Sequence, residues 1–242
     1  KRRGVMASIA VAPFLPAIAR AQTAGRVYRI GPVITVPRTD ATFATVIEEL
    51  KNQGFIEGKN LVVDLRGENL RPDQMMEAAR QIAEDKVDLI VAGGAVATRA
   101  AQAATNTIPI LAITDDMVGD GLVESLANRR GNTTGISVLS TDLDGKRQEL
   151  LIDLLPAVKK MAMLTDGSST QIAMLQARAK QSGVDMSVFT ISKPDDIEPA
   201  LKRAKAEGAT ALNMLGSSIL FALRRQIFAT ATATGLATMY QW

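Results

Sequence analysis

The side chains that most often carry catalysis are missing from this sequence: among 242 residues there is no histidine and no cysteine. Without His there is no Ser-His-Asp triad, no usual neutral-pH base and no common zinc ligand, and without Cys there is no thiol nucleophile or disulfide framework. Asp, Glu, Lys and Ser remain, so composition disfavours catalysis without closing the case. What the sequence does hold is a set of small and polar residues placed just after short apolar runs. Thr35 follows VYRIGPVI, Gly93, Gly94 and Ala95 follow VDLIVA, and Asp115 and Asp116 follow IPILAI. Ser140 and Thr141 follow TTGISV, Asp166 ends VKKMAMLTD, and Ser217 and Ser218 follow ALNML; Tyr240 and Trp242 close the chain. Hydroxyls, backbone amides and single carboxylates at such positions suit capture of a small polar molecule better than bond-breaking.

Each has a plainer explanation beside the binding one. Gly93-Gly94 lets the backbone approach a ligand at a helix start, or is a tight turn; GGAVATRA lacks the G-x-G-x-x-G of a dinucleotide site. Ser140 and Thr141, like Ser217 and Ser218, either cap the helices that follow or receive a solute carboxylate beside the positive ends of helix dipoles. Asp115 and Asp116 are solvated loop acids, a turn cap, or partners for an ammonium. Tyr240 and Trp242 stand out in a chain with only nine aromatics, as a stacking wall or as packing of a hinge strand. Lys146 and Arg147 open a helix near the joint and read as solvated or inter-lobe ion pairs.

The elements that must position these residues alternate strand and helix. Strands are expected at 27–34, 61–65, 87–92, 108–113 and 133–138, with helices at 41–52, 72–84, about 95–104 and a short one at 121–127. The cycle restarts with helices at 142–155, 170–182, 195–207 and 219–234, and strands at 158–166, 184–191, 211–215 and 237–241. In the helix at 142–155, Leu143, Leu150, Leu151 and Leu154 are expected to face inward. Apolar runs alternating with amphipathic helices read as βαβ units on parallel sheets. Two successive sets predict a two-lobed α/β protein, lobe one over 22–139 and lobe two over 140–242, joined by a short hinge. In open parallel sheets ligands bind beyond the carboxyl ends of the strands, which picks out 35–40, 93–96, 114–116, 139–141, 166–169 and 215–218.

Residues 1–21 differ in character. KRRG is followed by the apolar run VMASIAVAPFLPAI and an Ala19-Arg20-Ala21 site, the three parts of a secretory signal peptide. Pro13 and Pro16 and the shortness of the run argue against a membrane span. The net charge of +3 becomes −1 once Lys1, Arg2, Arg3 and Arg20 are set aside, 24 basic against 25 acidic residues, so the basic balance belongs to the export tag and a nucleic-acid surface is not expected. No later stretch is apolar enough to span a bilayer. The mature chain is expected to be soluble and periplasmic. It stops directly after a strand, so a truncated chain is expected, with an uncovered edge or apolar face left on lobe one.

The pieces LKNQGFIEGKNLVVDLR (50–66), DLIVAGGAVATRAAQAATNTIPILAI (88–113), GLVESLANRRGNTTGIS (121–137), DGKRQELLIDLLP (144–156) and MYQW (239–242) stand in an order and spacing that resemble one family. The chain resembles ABC transporter substrate-binding proteins related to tryptophan/tyrosine-type receptors, of the type I periplasmic-binding fold. The resemblance implies two lobes joined by crossing strands, a solute trapped between them, and delivery to a membrane permease. Two departures stand out: the family continues past the Tyr-x-Trp stretch, and TDDMVGDG (114–121) is more acidic than the commoner Gly-Asp-Pro loop. The expectation is therefore a monomeric, non-enzymatic receptor without cofactor or metal, taking an amino acid or aromatic carboxylate. A sugar-repressor-type regulator shares the fold but needs a helix-turn-helix where the signal sits. An α/β enzyme on a small polar substrate would lack GxGxxG, GxxxxGK[ST] and His. Fold alone does not separate these.

Overall fold

The computed structural model describes residues 25–127, 131–139 and 143–240. The expected export signal at 1–21 and the candidates Ser140, Thr141 and Trp242 lie outside the described residues. The chain builds two parallel sheets in succession. The first holds β1 (Tyr28–Val33), β2 (Leu61–Val63), β3 (Leu89–Gly93), β4 (Ile110–Thr114) and β5 (Thr133–Ser137) in the order β2-β1-β3-β4-β5. The second holds β6 (Lys160–Thr165), β7 (Asp185–Thr190), β8 (Ala211–Met214) and β9 (Ala237–Met239) in the order β7-β6-β8-β9. Every pairing is parallel, so all carboxyl ends within a sheet point the same way.

Helices fill the crossovers. In lobe one, α1 (Ala41–Asn52) covers one face, where Phe43, Ile47 and Leu50 meet Ile30, Val63 and Val91. The other face is covered by α2 (Pro72–Glu84) and α3 (Ala95–Ala104), which bury Met75, Ala79, Ile82 and Ala97 against Val33, Ile90 and Ile110. Burying each large aliphatic side chain contributes about 1.5–3 kcal/mol, which is what holds these layers together. In lobe two, α4 (Asp144–Leu154) and α5 (Ile172–Gln181) cover one face, and α6 (Ile197–Ala206) and α7 (Ser218–Thr234) the other. Local signals set the ends: Asp40 caps α1 by accepting from the Thr42 amide, and Pro72 opens α2 with a ring that has no amide to waste.

Three expectations are corrected. Residues 121–127 form turns and bends, not a helix. Gly121 takes φ +67°, and Arg99 and Gln102 of α3 donate to the carbonyls of Asp120 (2.7 Å) and Leu122 (2.8 Å), drawing them out of any helical ladder. The segment read as a helix over 195–207 begins as a 3₁₀ turn, Pro194–Asp196, before α6. Around α4, Leu151 faces inward as expected, but the other three leucines do not. Asp144, Gly145, Gln148 and Leu151 are buried, whereas Leu143, Leu150 and Leu154 are 53%, 43% and 70% exposed. The cause is close approach to α5: a Cβ on Gly145 would lie 2.5 Å from an Arg178 nitrogen, and Gln148 donates to the Leu175 carbonyl at 2.9 Å.

Among the described residues nothing covers the face of β4 and β5 on the α1 side, since α1 packs over β1, β2 and β3. Ile113 and Ile136, paired in register, are 40% and 59% exposed there. Among the described residues no helix is long and apolar enough to cross a membrane.

Candidate functional site

The carboxyl ends of both sheets open onto one cavity of about 390 Å³. Gly94, Thr114 and Asp115 line it from lobe one, and Ser217, Ser218 and Phe221 from lobe two. Ile113, Val138, Leu143 and Arg147 also line it, the last three flanking the joint. Apolar surface with a few convergent polar groups is the usual make-up of a small-molecule site. A larger hollow of about 620 Å³ lies along β5, between Pro109, Met117, Leu126 and Thr133. Its described lining comes from lobe one, on the edge strand rather than at the strand ends, and among the described residues no charged side chain lines it.

The lobes touch around the cavity. Thr35, after β1, donates to the Ser218 carbonyl at 3.1 Å, and Arg224 of α7 donates to Asp40 at 3.1 Å. Gly94 holds φ +91° and ψ 168° at the start of α3, so close to lobe two that a Cβ there would lie 2.1 Å from the Ser218 hydroxyl oxygen.

Charge at the joint is concentrated on one buried pair. Asp144 is 1% exposed; one carboxylate oxygen accepts from Arg147 at 3.0 Å and the other has no partner. Burial pushes its carboxyl up to about 7, against the pull of Arg147 and with a smaller push from Asp115. Asp120 is pushed up to about 6, again chiefly by burial; Arg99 opposes the shift, and Asp116, Asp115 and Asp166 add to it. The Thr114 hydroxyl, on the cavity wall, is buried without a partner. Buried polar atoms are seldom left unpaired, so this rim is built to receive polar groups. Among the described residues no group of three His, Cys, Asp or Glu is placed to hold a metal.

A family model for the ABC transporter substrate binding protein matches residues 30–230. The chain belongs to this family. It is 30% identical over 179 residues to a tyrosine-binding protein of Clostridioides difficile, covering 71% of this chain and 51% of that protein. The chain thus spans about half the length of the curated relative it matches. A conserved domain protein from Vibrio cholerae superimposes with TM-score 0.73 at 26% identity, over 88% of this chain and 73% of that one. An ABC domain from Streptococcus pneumonia in complex with L-Trp superimposes with TM-score 0.68 at 18% identity, over the same shares, which shows the shared fold.

Within this substrate-binding protein the residues named from sequence fall into distinct groups. Gly94, Asp115, Ser217 and Ser218 line the cavity; Thr35 sits behind it as an inter-lobe donor. Gly93 and Ala95 flank Gly94 without lining the cavity. Asp116 accepts from the Gly119 amide at 2.8 Å, the turn-cap alternative. Asp166 accepts from the Ser217 hydroxyl at 2.7 Å, and Ser217 caps α7 by accepting from the Ile219 and Leu220 amides. Tyr240, 41% exposed, packs on Phe228 of α7 with ring centroids 4.4 Å apart and does not line the cavity. Lys146 pairs with Glu149 on the surface of α4, while Arg147 turns inward to Asp144.

Ser217 has its hydrogen-bonding capacity met inside lobe two, which changes what its substitution should do. Ser217→Ala is expected to destabilise the protein by about 1 kcal/mol, the typical worth of an N-cap, rather than to act first on a ligand. Chemical denaturation of the variant would show this; unchanged stability with weakened solute binding would place the hydroxyl on the solute instead.

Proposed function

We propose that this chain is the solute-capturing part of a periplasmic receptor for an ABC importer, which closes two lobes around one small molecule and hands it to an inner-membrane permease. The observation that carries the reading is the cavity between the two sets of strand ends, lined from both lobes and bridged by hydrogen bonds across them. Binding energy is then used to favour the closed state, the form a permease would recognise. Residues 1–21 act as the export signal, the mature chain works as a monomer, and no reaction is catalysed. Lobe one spans 22–139 and lobe two 140–242.

The solute is an amino acid with an apolar or aromatic side chain. Phe221, Ile113, Val138 and Leu143 supply an apolar wall, Asp115 suits the ammonium, and Arg147 with the N-terminus of α7 suits the carboxylate. The match to a tyrosine-binding protein supports this class. A thermal-shift series with tyrosine, tryptophan, leucine, benzoate and glucose tests it. At a hundredfold excess over Kd a ligand adds about 2.7 kcal/mol, a rise of roughly 5–10 °C for a chain of this size. Aromatic amino acids are expected to give that rise and glucose none. A rise with glucose and none with any amino acid would overturn the solute class.

A further inference from the structure

Arg224 lies outside the cavity wall, yet it touches both the opposite lobe and a residue of the wall. It stands one turn along α7 from Phe221. Its guanidinium carbon lies 3.9 Å from the centre of the Phe221 ring, and one terminal nitrogen donates to the Phe221 carbonyl at 2.7 Å. The other terminal nitrogen crosses to lobe one and donates to Asp40 Oδ2 at 3.1 Å. Asp40 divides its carboxylate between two tasks, because Oδ1 accepts from the Thr42 amide and caps α1. Neither partner is freely solvated: the side chains are 21% and 12% exposed. Burial pushes the Asp40 carboxyl up, but the Thr42 amide and Arg224 outweigh it and hold the group below the ordinary aspartate value. The aspartate therefore stays charged.

We infer that Arg224 is a positioning residue that ties closure of the two lobes to the placement of Phe221 on the cavity wall. A flat guanidinium can stack on a ring and form hydrogen bonds at its edge at the same time, which lysine cannot do. When the lobes meet, Asp40 fixes the guanidinium, and the guanidinium fixes the ring stacked beneath it. The Thr35 bond to the Ser218 carbonyl grips the same end of α7, so lobe one holds this helix at two points around the ring. This tie rests on the proposed closing receptor, but its test needs no solute.

The chain has no cysteine, so Glu84→Cys on α2 and Lys202→Cys on α6 provide unique dye sites, one on each lobe. Inter-lobe distance is then read by single-molecule fluorescence. Fluorophenylalanine labelling, with the Phe221 signal assigned by its loss in Phe221→Leu, reads the ring. Asp40→Asn keeps an N-cap side chain, so α1 is retained while the ion pair is lost. Asp40→Asn and Arg224→Gln are each expected to lower the closed-to-open ratio on the order of fivefold, with no further loss when combined. Asp40→Asn, made in the other lobe, is expected to move the Phe221 signal. Arg224→Lys is expected to restore closure in part while leaving the signal displaced. Additive losses, or a Phe221 signal indifferent to Asp40, would overturn the tie. Failure of tyrosine to bind the unaltered protein would count against the proposed solute alone, since neither reading uses it.

Discussion

Replacing Gly94 with alanine is expected to keep the two lobes apart and to weaken capture of an aromatic amino acid on the order of 100-fold. Two separate costs produce the effect. The backbone at Gly94 holds φ +91° with ψ 168°, a region open essentially to glycine and costing other residues about 1–3 kcal/mol. That strain weighs on lobe one whether the lobes are open or closed, and denaturation would read it as lost stability. The second cost exists only in the closed form, where the new methyl would sit 2.1 Å from the Ser218 hydroxyl oxygen and 2.8 Å from its Cβ. Ser218 cannot easily yield, because its carbonyl accepts from Thr35 across the gap. A second substitution separates the two costs. Ser218→Gly in the Gly94→Ala background removes the collision and is expected to recover most of the tyrosine affinity while leaving the stability loss in place. If Gly94→Ala binds tyrosine as the unaltered protein does, the closed approach of α3 to α7 is not part of capture.

Gly94 also shows how much the sequence disclosed. Strand-end reasoning brought Gly94, Asp115, Ser217 and Ser218 to one cavity because parallel strands share a direction, and that direction follows from the alternation of apolar runs and amphipathic helices. The bounds of α1 and α2 were legible for a local reason: a capping aspartate at 40, and a proline at 72. What failed depended on contacts between elements distant in sequence. The leucines of α4 repeat at helical spacing, yet Gly145 and Gln148 dock the helix on α5 and leave Leu143, Leu150 and Leu154 outside. Arg147 reads as a solvated or inter-lobe charge until Asp144 is seen buried beside it on the same helix. Phe221 and Arg224 sit within a long apolar helix with nothing in their neighbours to set them apart. The i,i+3 spacing of Asp144 to Arg147 directly after the joint was the one available signal, and it is common on solvated helices.

Asp144 carries the largest expected dependence on pH. In the unfolded chain its carboxyl titrates near 3.8, and in the folded chain near 7. Between those values the folded protein holds a proton that the unfolded chain has released, so stability falls as pH rises through this window. The fall is at most about 1.4 kcal/mol per pH unit, and above about 7 it levels off, since both states are then ionised. Asp120 acts in the same sense but reaches its midpoint near 6, so from 6 to 7 Asp144 is the larger of the two contributions. Carboxylates held below their ordinary values, Asp40, Asp64 and Asp88 among them, contribute in the opposite sense and only in more acid solution. Between pH 5 and 7 Asp144 alone is therefore expected to lower the melting temperature by roughly 5–10 °C, given 2–4 °C per kcal/mol for a chain of this size, and Asp120 adds to the fall. Asp144→Asn keeps an oxygen for Arg147 and removes the titration. Its melting temperature should fall less than that of the unaltered protein from pH 6 to 7 and should exceed it at pH 8. Scanning fluorimetry of both proteins through pH 5–8 at fixed ionic strength decides the matter. Parallel curves would mean that Asp144 stays ionised throughout, its charge met by Arg147, and that burial at the joint is not what governs its proton.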